Sequence, residues 1–149
     1  MDKKLDELDK TLIWELEADS RRSLREIARK LGSATSTVAQ RVKRLEKEKI
    51  VRRYSADVDW EKLGFDLTAL IQIRIRGQPL PKVEGVIAKM PQVVSVWDVT
   101  GEFDAVAYVR VKNRRELSQA VKKILGIDGV EHTDTQLILN AVKENYLTL

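Results

Sequence analysis

The chain has 149 residues, 43% of them hydrophobic and 34% charged, which is the composition of one globular domain or two small ones rather than of a disordered chain. With no cysteine and a single histidine, disulfides, thiolate or multi-histidine metal sites and cysteine nucleophiles are excluded. The net charge is only +4, yet residues 20–55 hold 12 basic residues against 3 acidic ones, a local charge of +9. Such a block attracts polyanions.

Three helical patterns open the chain. Leu5, Leu8, Leu12, Ile13 and Leu16 recur at helical spacing, with Asp6 and Asp9 near the positive helix end. The opening contains no apolar stretch of the signal-peptide kind, and no apolar run is long enough to cross a membrane, so a cytoplasmic protein is expected. Ser23-Leu24-Arg25-Glu26 reads as a capping box for a second helix, whose stripe is Leu24, Ile27, Ala28 and Leu31 and whose end is Gly32. The turn Gly32-Ser33-Ala34 leads into a third helix over residues 35–48.

The third helix is divided. Val38, Val42 and Leu45 form a narrow apolar face. The opposite side carries Ser36, Gln40, Lys43, Arg44 and Lys47, with Thr37 beside them. Two helices joined by a three- to four-residue turn, the second with a hydrogen-bonding and cationic face, are a helix-turn-helix pattern suited to the major groove of double-stranded DNA. Gln40, Lys43 and Arg44 are expected to face the groove, Ser36 and Thr37 near the helix N-terminus to contact bases or phosphate, and Arg41, Lys47, Arg52 and Arg53 to serve mainly the phosphate backbone. Residues 50–58 are rich in β-formers and read as a wing strand. The expected division is a DNA-binding domain over residues 1–59, a polar linker over 60–66 and a second domain over 67–149.

In the second domain, residues 67–76 read as a strand and Pro79 and Pro81 start a helix with Val83, Val86, Ile87 and Met90 inward. Strands follow at 93–99 and 105–111, then a helix marked by Leu117, Val121, Ile124 and Leu125, then a long strand over 130–142. The order βαββαβ, with a faint repeat between Met90–Val93 and Ile127–Val130, predicts an α+β ferredoxin-like fold: four antiparallel strands with both helices on one face. The other face needs a cover, for which a second subunit is expected. RNA binding is discounted, because the third strand offers only Tyr108 for stacking. No enzyme is expected: Glu102 and Asp104 share a loop without a nucleophile–base pair or metal set, and no cofactor is implied.

The turn Thr100-Gly101-Glu102-Phe103-Asp104 is a candidate small-molecule site. Gly101 leaves backbone N–H groups open to a carboxylate and Asp104 suits an ammonium, so a zwitterion would meet both. A glycine turn beside a solvated acid explains the same residues.

Taken whole, the chain resembles the Lrp/AsnC (leucine-responsive/asparagine regulator) family. The residues that carry the likeness are Leu5–Asp9, Arg22–Ala28, Leu31-Gly32, Ser36–Val38, Arg41–Glu46, Leu63-Gly64 and Thr100–Asp104. The resemblance implies a winged helix-turn-helix followed by a βαββαβ effector module. It further implies homodimers built into tetramers or octamers, amino acids as effectors, and hydroxyls from the last strand at the effector pocket, for which Thr133, Thr135 and Gln136 are candidates. Two positions depart from the family: Ala34 replaces the usual serine cap, with Ser33 and Thr35 as substitutes, and Lys49 replaces the glycine after the recognition helix. An architectural DNA-binding protein with no effector is the second reading. Charge-rich, asparagine-poor composition adds the expectation of a thermophile.

Overall fold

The computed structural model describes residues 5–143. They divide into two compact units, one ending at Asp57 and the other starting at Val58.

The first unit has three helices: α1 (Glu7–Ala18), α2 (Leu24–Lys30) and α3 (Thr35–Lys47). Asp6 caps α1 and forms a reciprocal capping box with Asp9; Ser23 and Glu26 do the same for α2. Gly32 ends α2 in the left-handed region (φ 59°), and the Ser33 N–H donates to the Ala28 carbonyl at 2.9 Å, which turns the chain into α3. Leu12, Leu16, Ile27, Ala28, Val38, Val42 and Leu45 form one shared core. Burying aliphatic side chains of this size contributes roughly 1.5–3 kcal/mol each, so the core fixes the mutual angle of α2 and α3.

The ends of α3 behave differently from the family pattern. Ala34 is the N-cap and no side chain hydrogen bonds there, so neither Ser33 nor Thr35 takes over the role. At the other end Lys49 adopts φ 56°, and the Ile50 N–H donates to the Leu45 carbonyl at 2.9 Å. The glycine-type helix end therefore forms without glycine.

Among the described residues, the wing segment expected as a strand over residues 50–58 carries no strand pairing. β-propensity supplies only half of a strand, and a ladder partner supplies the other half.

In the second unit, a short 3-10 turn (Glu61–Leu63) precedes β1 (Leu67–Ile75), α4 (Leu80–Ile87), β2 (Val93–Asp98), β3 (Ala105–Val111), α5 (Arg114–Leu125) and β4 (Val130–Ile138). The sheet order is β2-β3-β1-β4, antiparallel throughout, as expected for the ferredoxin-like fold. Ala69, Ile71 and Ile73 of β1 and Ala105, Ala107 and Val109 of β3 pack with Val83, Ile87 and Ile124 of the helices. Val86, expected inward, and Leu125, counted among the apolar residues marking the second helix, are exposed, because each sits one step off its helix's buried row. β4 stops at Ile138 rather than reaching residue 142, since Ile138 pairs with Thr68 and β1 begins at Leu67.

The stretch expected to be a linker is docked on this unit. Arg110 of β3 lies 4.9 Å from the Trp60 ring centroid, and Lys112 lies 5.3 Å from that of Phe65. By register and alternation, the sheet face away from the helices carries Leu70, Gln72 and Arg74 of β1, Val106, Tyr108 and Arg110 of β3, and Trp97 of β2. No helix among the described residues is long and apolar enough to cross a membrane.

Candidate nucleic-acid interface and effector loop

Burial divides α3 as its sequence does. Val38 and Leu45 are wholly buried and Val42 nearly so, while Ser36, Gln40, Lys43 and Lys47 are exposed. Together those four give a face that donates, accepts or carries positive charge and holds no carboxylate. Thr37 is half-buried beside them.

Arg41 and Arg44 are placed otherwise. Arg41 Nη1 donates to Asp6 at 2.6 and 2.7 Å and to Asp9 Oδ1 at 2.8 Å; Arg44 Nη2 pairs with Asp9 Oδ2. Both guanidinium groups are turned towards α1, and both side chains are about one quarter exposed. The outward direction expected of Arg44 is thus corrected: a long side chain follows its acid rather than its Cα–Cβ vector. Burial pushes the Asp9 carboxyl up, but Arg41, the Asp6 backbone N–H and Arg44 together hold it below the ordinary carboxylate value. The sequence reading missed this network. Its signal was the matched three-residue spacing of Asp6/Asp9 and Arg41/Arg44.

Arg52 and Arg53 are exposed just after α3. The segment that follows α3 is tethered, because the Tyr54 hydroxyl donates to Glu46 Oε1 at 2.8 Å. Burial and the Glu46 carboxylate push that hydroxyl up to about 12, so it remains a donor. The tether keeps both arginines beside the C-terminal turn of α3.

In the second unit the loop of residues 100–104 joins β2 to β3. Gly101 has φ 122°, and a Cβ there would meet open space; the glycine answers a backbone need, not a crowded neighbour. Asp104, at the end of the loop, is tied to β1. Its Oδ2 accepts from the Ile75 N–H at 2.7 Å, next to the register shift between Arg74 and Ile75, and its own N–H donates to the Ile73 carbonyl at 3.0 Å. Arg74 clasps the loop from β1: it donates to the Glu102 carbonyl at 3.1 Å and to Glu102 Oε1 at 2.8 Å, and lies 5.5 Å from the Phe103 centroid. Phe103 stacks on His132 with centroids 6.4 Å apart. Arg74 and His132 were not among the site residues expected from the sequence, and cross-strand register is what brings them to the loop.

The polar candidates of the last strand do not converge. Thr133 pairs with Ile73 and Thr135 with Ile71, on the helix-covered side, whereas Gln136 pairs with Leu70 and points to the other face. Ala105, Ile73 and Thr133 share one cross-strand row, so Thr133 and the loop lie at the same end of the sheet. Thr100 itself is exposed ahead of Gly101.

Residues 5–46 match the family model of the AsnC-type helix-turn-helix domain, and residues 68–148 match that of the Lrp/AsnC ligand binding domain. An uncharacterised HTH-type transcriptional regulator of Pyrococcus abyssi is 42% identical, over 95% of this chain and 97% of that one. The feast or famine regulatory protein from M. tuberculosis, solved in complex with L-methionine, superposes with a TM-score of 0.90 at 33% identity, covering 97% of this chain and 98% of that one. A transcriptional regulator from Neisseria meningitidis, also solved with L-Met, gives a TM-score of 0.89 at 26% identity over 95% of this chain and 94% of that one.

Proposed function

The chain belongs to the Lrp/AsnC family of transcriptional regulators, and from that premise we propose that it is a sequence-specific regulator of double-stranded DNA, assembled as a homo-oligomer and modulated by an amino acid. The observation that carries the DNA reading is the exposed face of α3. Ser36, Gln40, Lys43 and Lys47 stand outward from a helix whose apolar residues are spent on the core. Gln40 is the group suited to a bidentate contact with adenine, and Ser36 and Thr37 sit at the helix N-terminus, where a phosphate is favoured. Lys43 and Lys47, with Arg52 and Arg53, serve phosphate.

Support for the amino-acid reading comes from the relatives solved with L-methionine and from the match of residues 68–148 to a ligand-binding model. At the loop, residues 100–104 and Thr133 share one end of the sheet. Gln136 is set aside as a ligand group alongside them, because it faces away. Two observations favour the architectural alternative: Asp104 is already engaged by the Ile75 N–H, and Gly101 answers a turn. Selection of duplexes from a random-sequence pool, with and without an amino-acid mixture, tests both parts. An enriched operator whose occupancy changes with the mixture is expected. Uniform enrichment that ignores the mixture supports the architectural reading.

A further inference from the structure

The basic block of the first unit is partly neutralised from within. Asp9 is completely buried in a helix that otherwise supplies only aliphatic groups and Glu15 to the interior. Its two oxygens each hold one arginine of the recognition helix. Asp6 adds a second carboxylate on Arg41. The same helix also pairs Glu15 with Arg22, just ahead of α2, and with Lys30 at the end of α2 at 2.5 Å.

Stability alone is a weak reason for this arrangement. A buried ion pair is often no better for stability than an apolar pair of the same volume. Arg44 is also under-satisfied, since its Nε is shut from solvent without an acceptor. DNA recognition does give a reason. Sequence-independent affinity rises with each phosphate a protein neutralises, and the useful quantity for a regulator is the ratio of specific to non-specific binding. Two flexible cations at the border of the reading face would raise the non-specific part without reading a base.

We propose that Asp9 is a positioning residue for DNA selectivity: it holds Arg41 and Arg44 against α1, withholds two cations from phosphate, and leaves Ser36, Gln40, Lys43 and Lys47 as the outward face. This inference rests on the DNA-binding reading above. Asp6 is the auxiliary acid, acting on Arg41 alone.

The test is a salt titration of the full chain on mixed-sequence duplex DNA between about 50 and 200 mM salt. Asp9→Asn keeps the side chain's shape and one acceptor oxygen but loses its charge. It is expected to bind this DNA more tightly than wild type, with a log–log salt slope steeper by about 0.9 for each arginine released, and so by about 0.9–1.8. Glu17→Gln, at an exposed position of α1, changes net charge equally and should keep the wild-type slope. Asp6→Asn retains a good N-cap residue and should steepen the slope by up to about 0.9; it decides the matter if circular dichroism shows that Asp9→Asn does not fold. Wild type that fails to bind duplex DNA at the lowest salt brings down the DNA-binding reading itself. Binding by wild type with unchanged slopes in the folded variants overturns the selectivity role and leaves that reading standing. Weaker binding at every salt concentration with an unchanged slope makes Asp9 purely structural, and an equal steepening in Glu17→Gln reduces the effect to net charge; either result overturns the proposal.

Discussion

Ala34 holds the N-cap of α3 in extended backbone (φ −74°, ψ 143°) and offers no acceptor to the free N–H groups of the first turn. Serine there is expected to stabilise the protein by about 1 kcal/mol. At the far end Lys49 sits at φ 56°, where a side chain carries roughly 1–2 kcal/mol of strain, and Lys49→Gly should recover about 1 kcal/mol of it. Each variant should raise the urea midpoint without changing the m-value, and the two effects should add, since the sites share no partner. The carboxyl groups give the residue scale its pH dependence. Burial pushes the Glu84 carboxyl of α4 up to about 7, with the facing Asp98 of β2 adding to the shift. The folded state then holds a proton that the unfolded chain releases near 4.5, so this contribution is full below that pH and is lost as pH rises through about 7. Asp9 has the opposite sign: its value is depressed, so its contribution is present above the ordinary 3.8 and lost as acid protonates it. Urea titrations of wild type and Glu84→Gln across pH 4.5 to about 7 should differ by a stability decline found only in wild type. Parallel curves would refute the assignment.

Of the elements, α3 makes the sharpest demands. If Lys43 and Lys47 meet phosphate, replacing either with alanine should lower the salt slope by about 0.9 and weaken all sequences alike. Gln40→Ala should instead cost roughly 1–3 kcal/mol on the preferred duplex and leave the slope unchanged. The reverse pattern would exchange their roles. What the sequence made legible follows the same division between local and distant causes. The narrow stripe Val38, Val42, Leu45 and the capping box at Ser23 are encoded within a few residues, and the structure has them where periodicity puts them. Strand order followed from the βαββαβ pattern, because short connections leave few topologies. Arg44 was misjudged because its direction is set by Asp9, 35 positions earlier in the chain. The end of β4 was misjudged because it depends on where β1 begins. The separation of Gln136 from Thr133 and Thr135 was present in the alternation of a single strand and needed only its parity to be applied.

For the whole molecule, the sheet face away from the helices sets the first requirement. Leu70 lies at its centre, paired with Tyr108 on one side and Gln136 on the other, and Trp97 is half-exposed at its β2 edge. If a second copy covers this face, the full chain should sediment at twice its chain mass or more, and Leu70→Lys should shift it towards monomer while α3 keeps its fold. A wild type that sediments as monomer at micromolar concentration would refute the dimer. Ligand control sets the second requirement, and the structure changes how it must be tested. Alanine at Asp104 would remove a postulated ammonium partner and also the acceptor of the Ile75 N–H, so loss of binding would be ambiguous. Asparagine keeps an oxygen for that N–H and removes only the charge. Titration calorimetry with each natural amino acid should give heat from at least one with wild type, and little or none from the same ligand with Asp104→Asn at unchanged thermal stability. The ligand should then alter assembly or DNA affinity by a coupling of about 1–3 kcal/mol. Equal heats in both proteins would place the ligand away from Asp104, and silence from every amino acid with wild type would leave the architectural reading.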